Sequence, residues 1–580
     1  MLVQRTSCQV KSGCVLVFPP VWEVAAPYMA GPVLAAYLRQ ERCAVHLLDA
    51  NNLFWNHFKK DSRLVRRIHE QCIARCRDSS LTLEEGAAAH KAAQMSPEEF
   101  EKWFNRVSIG SPIYELVART FGSFRQIPGR PVNEALRYHD KYFADISHSH
   151  AATSSSRLFE QVVTEPGNPW RAFARDHLLP SIAFHDPVLI GISVVAPNQV
   201  VPAFALAVEA RRAWPNMSIV FGGSWVTHLR ERIAQVPWFS ELGFLFAPYQ
   251  GEAVLVEMLK AIRQRQDPAP IAHRVMHFAK PLGWVPLRQL PGPDFSDLPL
   301  DTYAEPGHLP LRASRGCYWA KCRFCSYPVL EPRYELRPEN ELHQGVGKLV
   351  EAYGAHHVAF VDPSMSVPLA RRVSSVVRES GWQLTWGAFG RFEDGFTRDV
   401  LRSMADGGCT VLHWGLESGS ARILRALDKG VDHDCAVRIL EASAEAGIHS
   451  RLLMMYGFPD ETAEDLQASF EFVERNLGAI GSVCWSRCTV EIDTPMGEDL
   501  QGRAEEVMRE TDLALGFVVT PPYGDCTLRR AEMRMAQLSA LAAHATRCRH
   551  RSQFLGQRYQ LGTSRPGQDE KQFCTVPVSG

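Results

Sequence analysis

The sequence lacks any uninterrupted apolar run of the roughly 18 residues a membrane-spanning helix needs, and no long apolar stretch near its start leads to a small-residue cleavage site. The opening "MLVQRTSCQVKSGCVLVFPP" is cut short by Pro19 and Pro20. A cytoplasmic protein without a membrane partner is expected. An excess of one charge is also missing: 63 Lys plus Arg stand against 64 Asp plus Glu, a formal net charge of -1. That balance removes the global electrostatic case for a nucleic-acid partner or an anionic surface. A disulfide framework is unexpected too, because the 15 cysteines are odd in number and scattered over a long chain with no secretory signal. Most of them, among them Cys43, Cys72, Cys76, Cys409, Cys435, Cys526, Cys548 and Cys574, read as small hydrophobes or surface thiols.

What the chain has is length and alternation. Its 580 residues, 46% hydrophobic and 22% charged, allow two to four domains and a large core. Near the start, "GCVLVFPP", "AGPVLAAYLRQE" and "AVHLLDANN" read as strand, helix, strand. From about Phe54 to His185 the sequence turns charged and helix-rich. Here a helical insertion is expected, with a capping box at Ser96 and Glu99 and a mobile loop at "SHSHAATSSSR". Alternation resumes with "DPVLIGISVV", "SIVFGG" and "LGFLFAPY", separated by amphipathic helices. Five apolar strands joined through helices imply an α/β fold with a doubly wound, Rossmann-like parallel sheet over residues 1–266. Ligands of such sheets sit at the strand carboxyl ends. Those ends carry Pro19, Pro20, Asp49, Ser193, Gly222, Gly223 and "YQGE", Tyr249 to Glu252. Small residues there admit a bulky flat ligand, although a tight strand-to-helix turn equally explains Gly222 and Gly223.

Residues 267–307 are proline-rich and read as a linker. A second series follows over residues 308–495, with strands at "LRASRG", "HHVAFVD", "QLTWGAF", "CTVLHWGLES", "SRLLMMYG" and "GSVCWSRCTVEI". Six β/α units fit a partial (β/α)6 barrel, whose chemistry belongs at the carboxyl ends of its strands. Residues 496–580 read as a small helical C-terminal region ending in a mobile tail, "GTSRPGQDEKQ".

The first barrel strand leads into "SRGCYWAKCRFCSYP", which places Cys317, Cys322 and Cys325 within nine residues. Zinc would want four nitrogen or sulfur ligands, commonly as two separated pairs. A redox dithiol would use Cys322 and Cys325 and leave Cys317 idle. A 4Fe-4S cluster held by three thiolates would keep one iron open to a non-protein ligand.

Further landmarks follow in order: Phe324 just before the last cysteine, "FVDPS" around Asp362, "GLESGS" from Gly415 to Ser420, "LDKG" from Leu427 to Gly430, and "GFPDET" from Gly457 to Thr462. With these motifs, residues 13–495 resemble the radical S-adenosylmethionine (SAM) superfamily, in its branch with an N-terminal cobalamin-binding domain. Two departures stand out. Four residues separate the first two cysteines where that family usually has three, and Asp460 replaces a usual glycine.

The resemblance implies that Cys317, Cys322 and Cys325 hold a 4Fe-4S cluster whose open iron chelates SAM. Glu417 would hold the SAM ammonium by a charge-assisted bond, and Phe324 would pack near the adenine. Arg391 and Arg451 would either meet the methionine carboxylate or serve as structural ion pairs. Cobalamin would lie on Ser193, Gly222, Gly223, Gln250, Gly251 and Glu252, with Pro19 and Pro20 in the first loop. The Asp-x-His-x-x-Gly signature of an axial histidine is absent from the chain. Trp22 would then cover the lower face of the cobalt or simply pack. Cys484 and Cys488 suggest either an auxiliary cluster or two positions on one strand face. The implied function is methylation of an unactivated carbon of a peptide or small-molecule substrate, with electrons from a donor such as flavodoxin or ferredoxin. Alternatives are a rearrangement or cyclisation without methyl transfer, and a cobalamin- and metal-binding sensor.

Overall fold

The computed structural model describes residues 13–545 apart from 21, 23–24, 60–61, 76–88, 105–149, 166, 278–283, 510, 520, 525–526, 528–529 and 536. Cys76, Cys526, Cys548, Cys574 and the "GTSRPGQDEKQ" tail lie outside the described residues. The first sheet contains β1 (Gly13–Phe18), β2 (Ala44–Asp49), β3 (Leu189–Ser193), β4 (Ser218–Gly222) and β5 (Phe244–Phe246). These run parallel in the order β2-β1-β3-β4-β5. Their sequences are nearly continuous apolar runs because helices cover both faces, leaving neither side for water. The winding reverses between β1 and β3, and a ligand crevice opens outside the carboxyl ends at such a point.

The helical insertion starts at Ala50, directly after β2, a little earlier than its composition suggests. Its Phe54, Trp55, Phe100, Phe104, Trp170 and Phe173 pack into one core with Val15, Ile190 and Ile219 of the sheet. The capping box forms, with the Ser96 and Glu99 backbone amides donating to each other's side chains at 2.9 and 3.2 Å. The mobile loop expected at "SHSHAATSSSR" is helical over His150–Thr153 and Ser155–Phe159 instead. Residues 147–149 of it lie outside the described residues; Ala152 within it and Leu158 just after it are buried in the same core.

The second sheet holds β6 (His308–Leu311), β9 (His357–Met365), β10 (Thr385–Gly390), β11 (Cys409–Glu417), β12 (His449–Tyr456) and β13 (Ser482–Arg487), in the order β13-β12-β11-β10-β9-β6. All its neighbours are parallel. Between β6 and β9 lie the two-residue strands β7 (Ser314–Arg315) and β8 (Glu335–Leu336), which pair antiparallel. The expected strand "LRASRG" is therefore divided: β6 ends at Leu311, and Ser314–Arg315 leaves the barrel. Asp362 of β9 causes the departure, because its buried carboxylate accepts from the Ser314 amide and from the Ser314 hydroxyl at 2.6 Å. The helices on the barrel start at polar caps: Thr397, Ser420, Asp432 and Thr462 each accept from the first helical turn. Beyond the barrel, residues 530–535 and 537–545 are helical. Ala531, Met535, Leu538 and Ala542 of this segment bury in the barrel core, and Ser539 donates to the Val483 carbonyl at 3.4 Å. The segment thereby covers the β13 side of the open sheet. Among the described residues no helix is long and apolar enough to cross a membrane.

Candidate functional site

The cysteine loop springs from β7 through Gly316, at φ +74°. A Cβ at that position would lie 2.2 Å from the Arg333 carbonyl oxygen, so no side chain fits. The added residue between Cys317 and Cys322 is absorbed by Ala320, which adopts a left-handed φ of +50°. A turn closes the loop where the Cys325 amide donates to the Cys322 carbonyl at 3.1 Å. All three thiols are half-buried. Burial pushes the Cys322 thiol up and the Cys325 thiol up to about 11, and each also feels its cysteine neighbours; Lys429 opposes both shifts and Arg391 opposes that of Cys322. Cations beside thiols favour the thiolate form that binds metal. The loop supplies three sulfur ligands, one fewer than the four of a closed tetrahedral zinc site. A four-iron cube spreads its thiolates over separate irons. The donor set fits the cube better than the ion.

Facing the loop is the carboxyl end of β11. Glu417 ends that strand at φ +71° and accepts from the Lys429 ammonium at 2.7 Å, in a pair that is nearly inaccessible to water. Gly415 lies beneath it: a Cβ there would stand 2.7 Å from Glu417 Oε1 and 2.9 Å from Lys429 Nζ. The Gly-x-Glu spacing is thus a steric condition of the ion pair. Burial alone would discharge Lys429, yet Glu417 and Cys322 hold its pKa above the ordinary lysine value. Sequence reasoning marks the "LDKG" turn but assigns Lys429 no role; a lysine in a loop twelve residues after a strand-end glutamate is the signal that could have found it.

Phe324 packs against an apolar group containing Ile423, Leu427, Phe458 and Cys488, with the Lys429 ammonium 5.8 Å from its ring centroid. Arg391, just beyond β10, donates to the Lys429 carbonyl and, at 2.7 Å, to the Gly430 carbonyl. Arg451 is not brought to this end. It is the third residue of β12, in register with His413 and Ser482 in the amino-terminal half of the strand, and is exposed. Cys484 and Cys488 also separate: Cys484 is exposed on β13 while Cys488 lies past the strand end, fully buried beside Val490 and Phe517. The shared strand face is not formed, because β13 ends between them.

A cavity of about 870 Å³ joins the two sheets. From the first sheet it is lined by Ser193, Gly222, Gly223, Gln250, Gly251 and Glu252, and from the barrel wall by His308, His357, Phe389 and His413. Trp22 also lines it, edge-on to Phe18 and Tyr28. Gly223 has an internal reason to be glycine, since its φ is +100° and a Cβ would meet the Val194 carbonyl oxygen at 2.3 Å. Gly222 has none. The nearest atom to a Cβ there is the Ala247 carbonyl oxygen at 3.4 Å, an ordinary contact. Gln250 accepts from the Val285 amide at 3.2 Å while its buried amide nitrogen has no protein acceptor. Glu252 is buried 3.7 Å from Arg315, and burial raises its carboxyl pKa. Pro19 and Pro20 are not among the lining residues; the Pro19 carbonyl instead accepts from Gln199 at 2.7 Å and fixes the loop.

Residues 311–473, which include the cysteine loop, Glu417 and Lys429, match the family model of the Radical SAM superfamily. The chain carries a radical SAM domain. An uncharacterized methyltransferase of Pyrococcus horikoshii is 26% identical over 305 residues, covering 50% of this chain and 64% of that protein. The tRNA-2-methylthio-N(6)-dimethylallyladenosine synthase of Mycolicibacterium gilvum is 33% identical over 178 residues, 26% of this chain and 33% of that one. The ribosomal protein uS12 methylthiotransferase RimO of Chlorobium phaeobacteroides is 26% identical over 225 residues, 35% and 51% of the two chains. The chain thus spans less than two thirds of the length of each of these relatives. The radical SAM methyltransferase TsrM from Kitasatospora setae, solved with tryptophan substrate and a SAM analog, superposes with a TM-score of 0.52 at 15% identity. That match covers 86% of this chain and 77% of TsrM. The fold outside the radical SAM domain is therefore shared as well.

Proposed function

We propose that this chain is a cobalamin-dependent radical SAM enzyme that methylates an unactivated carbon of a peptide or small-molecule substrate. The observation that carries this reading is the cavity that links the glycine-lined strand ends of the first sheet to the barrel wall. A corrin on the first sheet and a substrate in the barrel would share that space. In support, the TsrM structures are described as a radical SAM methyltransferase and, in one form, as holding cobalamin and a [4Fe-4S] cluster. When bound, the cluster and SAM would supply a 5'-deoxyadenosyl radical, and cobalamin would supply the methyl group.

The chain's own residues have definite tasks in this reading. Cys317, Cys322 and Cys325 would ligate the cluster, with Lys429 and Arg391 as the cations offsetting their charge. Glu417 would receive the SAM ammonium, exchanging part of its bond to Lys429 for it. Lys429 is then free to turn toward the SAM carboxylate. Gln250 offers a corrin side-chain amide its unpartnered donor, and Gly222 keeps the floor of the cavity low. Residues 1–266 form the cobalamin module, 267–307 the linker, 308–495 the radical SAM module and 496–580 the C-terminal region. The enzyme would work in the cytoplasm with an electron donor such as flavodoxin or ferredoxin.

Anaerobic reconstitution with iron, sulfide and hydroxocobalamin tests the proposal. About four irons and one cobalamin per chain are expected, and turnover should release both 5'-deoxyadenosine and S-adenosylhomocysteine. Deoxyadenosine without S-adenosylhomocysteine would favour a rearrangement or cyclisation. Bound zinc and no SAM cleavage would refute the enzyme reading.

A further inference from the structure

The cysteine loop carries one residue more than the usual motif, and the structure shows what the longer loop does with it. Ala320 takes the left-handed kink, which lets the preceding Trp319 fold back over the barrel mouth. The Arg391 guanidinium lies on the Trp319 ring, its Cζ 3.7 Å from the ring centroid. The indole N–H donates to the Asp428 carbonyl at 2.9 Å, while Arg391 itself donates to the Lys429 and Gly430 carbonyls. Gly430 completes the fit: its φ is +60°, and a Cβ there would stand 2.4 Å from the Trp319 ring. A further bond, from the Arg323 amide to the Leu427 carbonyl at 2.9 Å, ties the same two segments. Cysteine loop, β10 end and the 427–430 turn are thus fastened around one cation. Burial lowers the pKa of that cation, and the Cys322 thiol is the foremost group opposing the shift.

We infer that Trp319 is a positioning residue: it clamps Arg391 against the 427–430 turn, making Arg391 a fixed positive charge for the cluster instead of a ligand for the SAM carboxylate. The inference rests on the radical SAM reading proposed above. Its physical basis is that Arg391 has one face covered by an aromatic ring and N–H groups committed to two carbonyls. A guanidinium is weakly hydrated and suits such a stack, whereas an ammonium does not. A stationary cation beside the thiolates favours the more negative, reduced cluster and so raises its reduction potential. Without the indole, the covered face of the guanidinium would open to water and its influence would be partly screened.

The test uses full-length, anaerobically reconstituted protein and an EPR-monitored redox titration, with iron content and SAM dissociation constant measured beside it. Trp319→Ala and Arg391→Gln are both expected to lower the midpoint potential. The expected size is at least a tenfold loss of reduced cluster at fixed poise, about 59 mV for a one-electron couple. Iron content should hold, and SAM affinity should change by less than about threefold. Trp319→Phe keeps the aromatic face and should stay near wild type. The double variant should show no further shift beyond either single one, as expected of residues acting as a unit. A loss of SAM affinity in Arg391→Gln with an unchanged potential would make Arg391 a SAM ligand and overturn the inference. So would a shifted Arg391→Gln beside an unshifted Trp319→Ala. If Trp319→Ala loses iron, Trp319→Phe decides alone: a shift as large as that of Arg391→Gln refutes the stack, and a near-native potential supports it. Wild-type protein that binds no four-iron cluster would instead sink the function proposed above.

Discussion

The two parallel sheets end in opposite ways. The five-stranded sheet presents mainly small, neutral groups such as Ser193, Gly222 and Ala247, which together leave space, with Glu252 held beside Arg315. The six-stranded sheet ends in charge, with Glu417, Lys429 and Arg391 buried beside half-exposed thiols. A site for a large ligand is made by leaving side chains out, so its binding energy is spread over area and each residue contributes little. A site for a small ionic ligand is made by burying charges in pairs, where removing one partner strands the other. Single substitutions should therefore be severe at the barrel end and graded at the other.

The largest effect should follow Cys322→Ala. Deoxyadenosine formation should vanish while cobalamin binding, measured by retention of its absorbance after gel filtration, persists; loss of both would mean the two ends are not separable. Next comes Glu417→Gln, which leaves the Lys429 ammonium buried without its carboxylate. Breaking a buried pair costs about 3 kcal/mol or more, so a lowered unfolding temperature and a SAM dissociation constant raised on the order of 100-fold are expected by calorimetry and equilibrium dialysis. A variant with native SAM affinity would break the contrast. Smaller still is the glycine pair. Gly222→Leu should weaken cobalamin binding by intruding on the cavity with little loss of stability. Gly223→Ala should instead lose about 1–3 kcal/mol of stability or more, because a side chain there is forced to a positive φ suited to glycine and its Cβ would meet the Val194 carbonyl oxygen at 2.3 Å. If the two variants behave alike in cobalamin retention and in denaturant melts, the cavity floor is not where Gly222 puts it.

Much of this contrast was legible in the sequence, and the parts that were not share a cause. The strands of the first sheet are apolar runs with polar ends, a local pattern, and β1 to β5 fall where those runs lie. The thiols, Glu417 and the glycines of the first sheet are likewise marked by type and position. What escaped depends on contacts far apart in the chain. Asp362 draws Ser314 out of the first barrel strand across 48 residues, and Arg391 finds its carbonyls 38 and 39 residues away. Cys488 looks like the partner of Cys484 in sequence, yet β13 stops between them and the chain carries Cys488 into a different apolar group. Arg451 sits near a strand terminus, as its sequence suggests, but at the amino end of β12. The strand lies within one residue of its expected place, "SRLLMMYG" against His449–Tyr456, so nearness to a strand terminus was not enough: the ligand end is the carboxyl one. The helical run at Ser155–Phe159 makes the same point in reverse, since one buried leucine outweighs several serines.

The barrel end also supplies its own control for a buried carboxylate with no cation in direct contact, Arg422 acting on it only at longer range. Glu461, in the "GFPDET" turn, accepts from the Gly457 amide at 2.6 Å and from the Tyr523 hydroxyl at 2.8 Å through one oxygen, and its other oxygen is buried without a partner. Burial pushes its pKa up to about 7, against the opposing pull of those two bonds. A carboxyl raised in the folded state is stabilising to protonate: its contribution is complete below the unfolded value of 4.5 and is lost as pH rises through about 7. Between pH 5 and pH 8 the unfolding temperature should therefore fall, by an amount corresponding to about 2 kcal/mol. Glu461→Gln, which keeps the shape and cannot ionise, should flatten the profile and be more stable than wild type at the alkaline end. Equal slopes for the two proteins in calorimetric melts would show that Glu461 stays ionised without an ion pair, and Glu417 would then have no electrostatic need of Lys429 in contact with it.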